Sequence, residues 1–262
     1  MRALSIAATG MEAQQLNVEV ISNNIANLST TGFKSSRAEF QDLLYQNMRS
    51  VGSASSDTGT ILPSGLQVGL GVRPAATYRI NTQGNLSVTN NPLDLAINGL
   101  GYFQVQLPDG TTGFSRAGSM QLNSTGQLVT ADGYTVLPSI TVPATATSVT
   151  VNASGQVVAA ISGQTAQQTL GQLQLANFVN PAGLDAIGNN LYRETTASGT
   201  PTTGNPQSTN FGSLVQGSLE SSNVDVVSEV TNLITAQRAY EMNSKVINTA
   251  DQMLNSANQL KS

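Results

Sequence analysis

Apolar residues recur at every seventh position near both ends of the chain and lose that period in between. Leu4, Met11, Val18 and Ile25 stand seven apart near the start; Leu219, Val226, Leu233, Tyr240, Ile247 and Leu254 do so near the end. A sustained seven-residue apolar repeat marks a helix that packs lengthwise against other helices. Leu4, Ala7, Met11, Val18, Ile21, Ile25 and Leu28 follow steps of three and four with Glu12 and Glu19 off the stripe, which predicts a first helix over 4–28. Its length would be roughly 40 Å at 1.5 Å per residue. Ser29, Thr30, Thr31 and Gly32 would end it, Gly32 suiting a left-handed cap. A closing helix of roughly 50 Å is predicted over 225–260. Ser221, Ser222 and Asn223 are its candidate N-caps, and Asp225 favours the positive end of its dipole. Neither helix can bury its stripe alone, so each must meet the other or a neighbouring subunit. Asn23, Asn24, Asn27, Gln237, Asn243 and Ser244 lie on or near the seam. They either face solvent or interrupt the apolar contact, where such groups fix register and partner at a cost in stability.

Between the ladders the period changes. Phe33, Phe40, Leu43, Leu44 and Met48 sit at helical spacing and predict a short helix over 33–48. Residues 49–59 have turn composition, and Leu62–Arg73, punctuated by Gly65, Gly69 and Gly71, reads as extended. From Thr77 onward three turns share one pattern, opening with Asn81, Asn123 and Asn152 and turning at Gly84, Gly126 and Gly155 before an apolar residue starts the next strand. Strands are predicted at Tyr102–Leu107, Thr112–Ser115, Gln127–Thr130, Tyr134–Leu137, Ser148–Asn152 and Gln156–Ile161. Thr195–Gly217, with Pro201 and Pro206, reads as loop. The fold expected is α+β: paired long N- and C-terminal helices, coiled-coil-like, and a central, mainly antiparallel β domain. The divisions expected are a terminal helical assembly domain (1–33 and 220–262), an extended linker (34–76) and a β-rich outer domain (77–219).

Composition narrows the function. Charged residues make up 10% of the 262, against about 25% in an ordinary domain. Such a surface suits extended contacts between like subunits, because little charge must be desolvated. The net charge is −4, and no Lys or Arg stands between Arg116 and Arg193. Nothing steers the chain toward nucleic acid or an anionic membrane surface. No apolar run approaches the roughly 20 residues that span a bilayer, so no membrane insertion is expected. The N-terminus does not read as a secretory signal, and any export is expected to bypass one.

There is no Cys and no His, which removes disulfides, thiolate metal sites and the commonest general base and metal ligand. A Ser–Lys dyad would have to use Lys34, Lys245 or Lys261, all in or beside predicted helices where solvent or packing roles suffice. Asp94, within Pro92–Ile97, alternates away from Leu93 and Leu95, the ordinary place for a polar residue in a strand. The pairs Gly99/Gly101 and Gly69/Gly71 lack the third glycine and the helix of a dinucleotide site. The expectation is no enzyme, no cofactor and no metal.

Longer motifs carry a resemblance. Ser22-Asn-Asn-Ile-Ala-Asn-Leu-Ser-Thr-Thr-Gly-Phe-Lys34 resembles the N-terminal signature of the bacterial flagellar axial proteins, the rod and hook subunits. Gly217–Glu229 and Leu233–Lys245 resemble the matching C-terminal segment, and Asn98–Val105 with Phe114–Gly118 the family's β domain. Length and the stretch Met48–Arg73 bring the chain nearer to the distal rod branch than to the longer hook subunits or the proximal rod subunits. The resemblance implies a structural subunit of the basal-body rod. It implies a helical homopolymer that transmits torque across the periplasm, exported unfolded by the flagellar type III apparatus. The implied partners are further copies of the chain, neighbouring rod and hook proteins, and surrounding ring proteins. Terminal helices would form an inner tube and the β domain an outer layer. Leu4, Met11, Val18 and Ile25 would then pack with Val226, Leu233, Tyr240 and Ile247, with Leu254 extending the interface. Leu62, Pro63, Gly65 and Leu66 would belong to a rod-specific strut. Head-to-tail contacts that do not close build such a filament. The rival from another class is a secreted β-domain adhesin on a helical-hairpin stalk.

Overall fold

A computed structural model of the chain describes residues 2–49, 64–164 and 166–259. It has two compact units: Met1–Ile25, Ser36–Tyr78 and Val226–Ser262 form one, and Ala26–Ser35 with Arg79–Asp225 the other. The architecture is α+β, with a helix near each end and mainly antiparallel strands between them.

The first unit holds α1 (Arg2–Ala26) and α2 (Val226–Gln259). Both helices lie within two residues of the bounds expected from spacing. The short helix expected over 33–48 does not form. Ser36–Asp42 is a strand that pairs with Val72–Arg79, and Tyr45–Arg49 pairs antiparallel with Leu66–Gly69. The reason is visible at Ser36, Ala38 and Phe40, which turn inward while Arg37, Glu39 and Gln41 stay exposed. That is period two, and it is masked by Leu43 and Leu44 completing a helical spacing. The α1 helix meets the turn before Val72 at Thr9, whose hydroxyl donates to the Ile6 carbonyl and accepts from the Val72 N–H. Gly71 must be glycine there: its φ is +122° and a side chain would collide with Thr9.

In the second unit one antiparallel sheet runs in the order Asp185–Gly188, Leu191–Arg193, Thr112–Ser115, Tyr102–Gln106, Thr135–Leu137, Leu128–Thr130, Met120–Leu122. Leu175–Asn177 extends it beside Tyr102–Gln106 and pairs with Thr202–Gly204. Ala146–Val151, Gln156–Ile161 and Gln168–Gln172 form a second sheet, and the core fills with Leu95, Ile97, Phe103, Val105, Val136, Val157 and Leu175. Alternation along Tyr102–Gln106 puts Phe103 and Val105 into that core. Tyr102 joins a separate aromatic cluster with Phe114, Phe178 and Tyr192. Its rings meet edge to face, Phe114 and Phe178 at 4.8 Å between centroids.

Three expectations are corrected here. Thr202–Gly204 and Ser213–Gln216 are strands, the second paired with Leu95–Asn98, although prolines and glycines mark that stretch as loop. Leu219 does not belong to the helical ladder: it lies in the strand Ser218–Glu220, opposite Ser87. Asp94 is buried rather than solvated, accepting hydrogen bonds from Thr89 Oγ1 at 2.6 Å and Asn91 Nδ2 at 3.0 Å. The repeated Asn–Gly turns also divide. Asn123 and Asn152 bond their own turns, with Gly126 and Gly155 at positive φ. Gly84 instead makes a close approach, where any side chain would strike the Ser221 carbonyl.

Candidate assembly site

Within the first unit, the buried residues of α1 are Ala7, Ala13, Ile21 and Asn24, so Ile21 is the one large apolar side chain among them. Asn24 is 1% exposed and satisfies three bonds at once. Its Oδ1 accepts the Ser36 N–H at 2.8 Å, and its Nδ2 donates to the Ser36 carbonyl at 2.8 Å and to Glu229 Oε1 at 3.1 Å. Two heptads away, a methyl group on Gly10 would come within 2.8 Å of Asn243 Nδ2. Of the six polar seam candidates, Asn24 is therefore buried and Asn243 is in close contact, whereas Asn23 and Gln237 face outward.

The large apolar ladder is only partly covered. Leu4, Met11, Val18 and Ile25 are half-buried, as are Leu233 and Ile247. Val226 and Tyr240 are each 43% exposed and Leu254 42%. Val227, Val230, Ile234, Met242, Val246 and Met253 are exposed beside them. A helix so rich in uncovered apolar side chains is unusual in a chain that has otherwise built a full core. Each such side chain gains about 1.5–3 kcal/mol on full burial. Of the strut residues, Gly65 is half-buried, Leu66 is exposed opposite Arg49, and Leu62 and Pro63 lie outside the described residues.

In the second unit, the segments that follow α1 and precede α2 in sequence meet on a buried charge cluster. Lys34 Nζ donates to Glu220 Oε1 at 2.5 Å and to the Thr82 carbonyl at 2.8 Å. Arg116 Nη1 donates to the carbonyls of Gly99 and Gly101 at 2.9 and 2.6 Å. Its Nε lies 2.9 Å from Glu220 Oε2 without the alignment of a hydrogen bond, so that pair is a charge contact. Glu220 Oε1 also accepts the Gly84 N–H. Asn223 completes the junction, accepting the Ser35 N–H and donating to the carbonyls of Ile80 and Thr82. Gly32 has φ +68°, but it caps no helix; its N–H donates to the Glu220 carbonyl and it packs on the Arg116–Ala117 backbone. Sequence reasoning gives Lys34 only a solvent or packing role beside a predicted helix, because nothing near it in the chain names its partner. Its partner Glu220 lies 186 positions away.

Burial sets the acid–base behaviour of this region. Desolvation pushes the Tyr102 phenol up to about 12, against the smaller pull of Arg116, and raises Tyr192 in the same way. Between pH 10 and pH 12 the folded chain therefore keeps protons that the unfolded chain has lost, and stability falls as pH rises; Tyr102 alone accounts for about 3 kcal/mol. Lys34 acts in the opposite sense. Burial holds its pKa below the usual 10.5 despite the Glu220 hydrogen bond, so stability rises with pH between that lowered value and 10.5. Spectrophotometric titration should show two of the six tyrosines ionising late, together with the unfolding transition. Full ionisation by pH 11 in the folded chain would contradict the burial of Tyr102.

A profile described as "Flagella basal body rod protein" matches residues 4–34. One described as "Flagellar hook protein FlgE/F/G D1 domain" matches 96–159. A third, "Flagellar basal body rod FlgEFG protein C-terminal", matches 215–260. The flagellar basal-body rod protein FlgG of Caulobacter vibrioides is 58% identical over the whole of both chains. That of Agrobacterium fabrum is 54% identical over 97% of each. The Bacillus subtilis FlgG is 40% identical over 100% of this chain and 99% of its own. Identity at this level runs from end to end, through both helices and the β-rich unit, and the chain belongs to the flagellar basal-body rod protein family.

Proposed function

We infer that this chain is a non-enzymatic structural subunit of the distal stretch of the flagellar rod. It polymerises with copies of itself into a helical shaft that carries torque from motor to hook. The observation that carries this reading is the uncovered apolar ladder of α2, which a single chain leaves exposed beside an otherwise complete fold. Burial of Val226, Leu233, Tyr240, Ile247 and Leu254 against neighbouring copies, with Leu4, Met11, Val18 and Ile25 contributing from α1, supplies the assembly energy. Paired terminal helices are the coiled-coil-like inner layer, and the β-rich unit is the outer one. Rod and hook proteins at either end of the shaft, and the rings around it, are the other partners. Gly65 and Leu66, continuing the stretch that includes Leu62 and Pro63, belong to a strut between subunits. Export is by the flagellar type III route, which suits terminal helices whose large apolar row is fully covered only on assembly.

Electron microscopy of the concentrated full-length protein tests this reading. Helical tubes are expected. A chain that stays monomeric at every concentration, with both ends resistant to proteolysis, would favour a self-contained hairpin instead.

A further inference from the structure

The α2 helix carries a second seven-residue row beside the large apolar one. Glu229, Ala236, Asn243 and Ala250 stand seven apart, with Ala236 and Ala250 buried and the other two half-buried. Four residues along an α-helix turn about 40° past a full circle, so this row runs next to Leu233, Tyr240 and Ile247 without coinciding with it. On α1 the matching row is Gly10, Asn17 and Asn24. Two contacts fix how the rows meet: Asn24 with Glu229 through a 3.1 Å hydrogen bond, and Gly10 with Asn243 through the lack of a side chain. The contacting positions are fourteen residues apart on each helix and run in opposite order, which is two heptads of an antiparallel pair.

We propose that this row of amide and small residues is a register ladder. It selects α1 of the same chain as the partner of α2, at one offset, and leaves the large apolar row to neighbouring copies. The proposal rests on the rod-subunit reading and divides its labour between two faces of one helix. Aliphatic side chains pack acceptably at several offsets, whereas a buried amide with fixed partners is satisfied at one. A slip of one heptad sets Gly10 opposite Ala236 or Ala250, separates Asn24 from Glu229, and brings the Asn243 amide against a residue with a side chain. Asn24 also bonds both backbone groups of Ser36, so the same amide ties the register to the strand Ser36–Asp42.

The test is second-site rescue in a strain that lacks its own copy of the gene. Alanine is a better helix former than glycine, so if α1 needs only helicity, Gly10→Ala is neutral or beneficial. The register ladder requires the opposite: swimming expansion falls about threefold, because the added methyl turns the flexible Asn243 amide out of the row at small steric cost but removes the fit that marks the register. The double variant Gly10→Ala/Asn243→Ala should return to the parent's rate, since it relieves that collision. A Gly10→Ala strain that swims normally overturns the proposal, and so does a loss that Asn243→Ala does not restore. The rod-subunit reading is judged separately by Leu233→Asp, outside the register row: if that variant is immotile while Gly10→Ala swims, the subunit role stands and the ladder falls.

Discussion

Leu233→Asp is expected to abolish motility while leaving the β-rich unit folded. Leu233 is half-buried between exposed Val226, Val230, Ile234 and Tyr240, in the middle of the apolar ladder. A carboxylate there either stays in water, preventing neighbouring apolar groups from closing, or is buried at a cost of several kcal/mol. In a helical polymer every copy repeats the defect at every contact, so a penalty that a monomer would tolerate stops growth of the shaft. Among the described residues, the core clusters of the β-rich unit include none from α2. Thermal unfolding of that unit, followed by tyrosine absorbance, should therefore shift little. The measurements are swimming in soft agar and electron microscopy of isolated basal bodies. A normal swimmer would remove the ladder from the assembly interface.

Glu220→Gln should be the most destabilising conservative change in the second unit. Among the described residues Glu220 is the carboxylate that faces two buried cations, and the side-chain exposures of Lys34, Arg116 and Glu220 are 2%, 5% and 0%. Neutralising it leaves Lys34 and Arg116 without a counter-charge and turns an amide toward one of them. Removing one partner of a buried ion pair costs about 3–5 kcal/mol, a fall in melting temperature of roughly 10 °C for a domain of this size. Lys34→Met should cost clearly less, because it leaves a balanced Arg116–Glu220 pair and fills the site with a side chain of similar length. Equal losses for the two variants would mean that packing, not charge balance, governs the cluster.

The helices were legible because their information is local. Seven-residue spacing, polar caps and the absence of interior glycine clusters in α2 all lie within the segment they describe. Most strands from Tyr102 to Ile161 were legible for the same reason, since Asn-turn-Gly motifs punctuate them. The strands Ser36–Asp42 and Ser213–Gln216 were not. Their backbone bonds go to Val72–Arg79 and Leu95–Asn98, and nothing in the segments themselves names those partners. The alternation of Arg37, Glu39 and Gln41 with Ala38 and Phe40 was an available signal for the first.

At the candidate site the division is sharper. By itself the sequence determined that both ends are helices with an apolar seven-residue repeat, that histidine and cysteine chemistry is absent, and which family's motifs flank the repeats. Periodicity states that a helix has a face; it does not state what the face meets. Only the tertiary structure decided that Glu229 and Asn243 of α2 lie against Asn24 and Gly10 of α1 within the chain. It likewise decided that Lys34, Arg116 and Glu220 share one desolvated site. Both outcomes depend on contacts between residues roughly 100 to 230 positions apart, whose energies come from mutual burial and charge compensation and so exist only once the chain has closed.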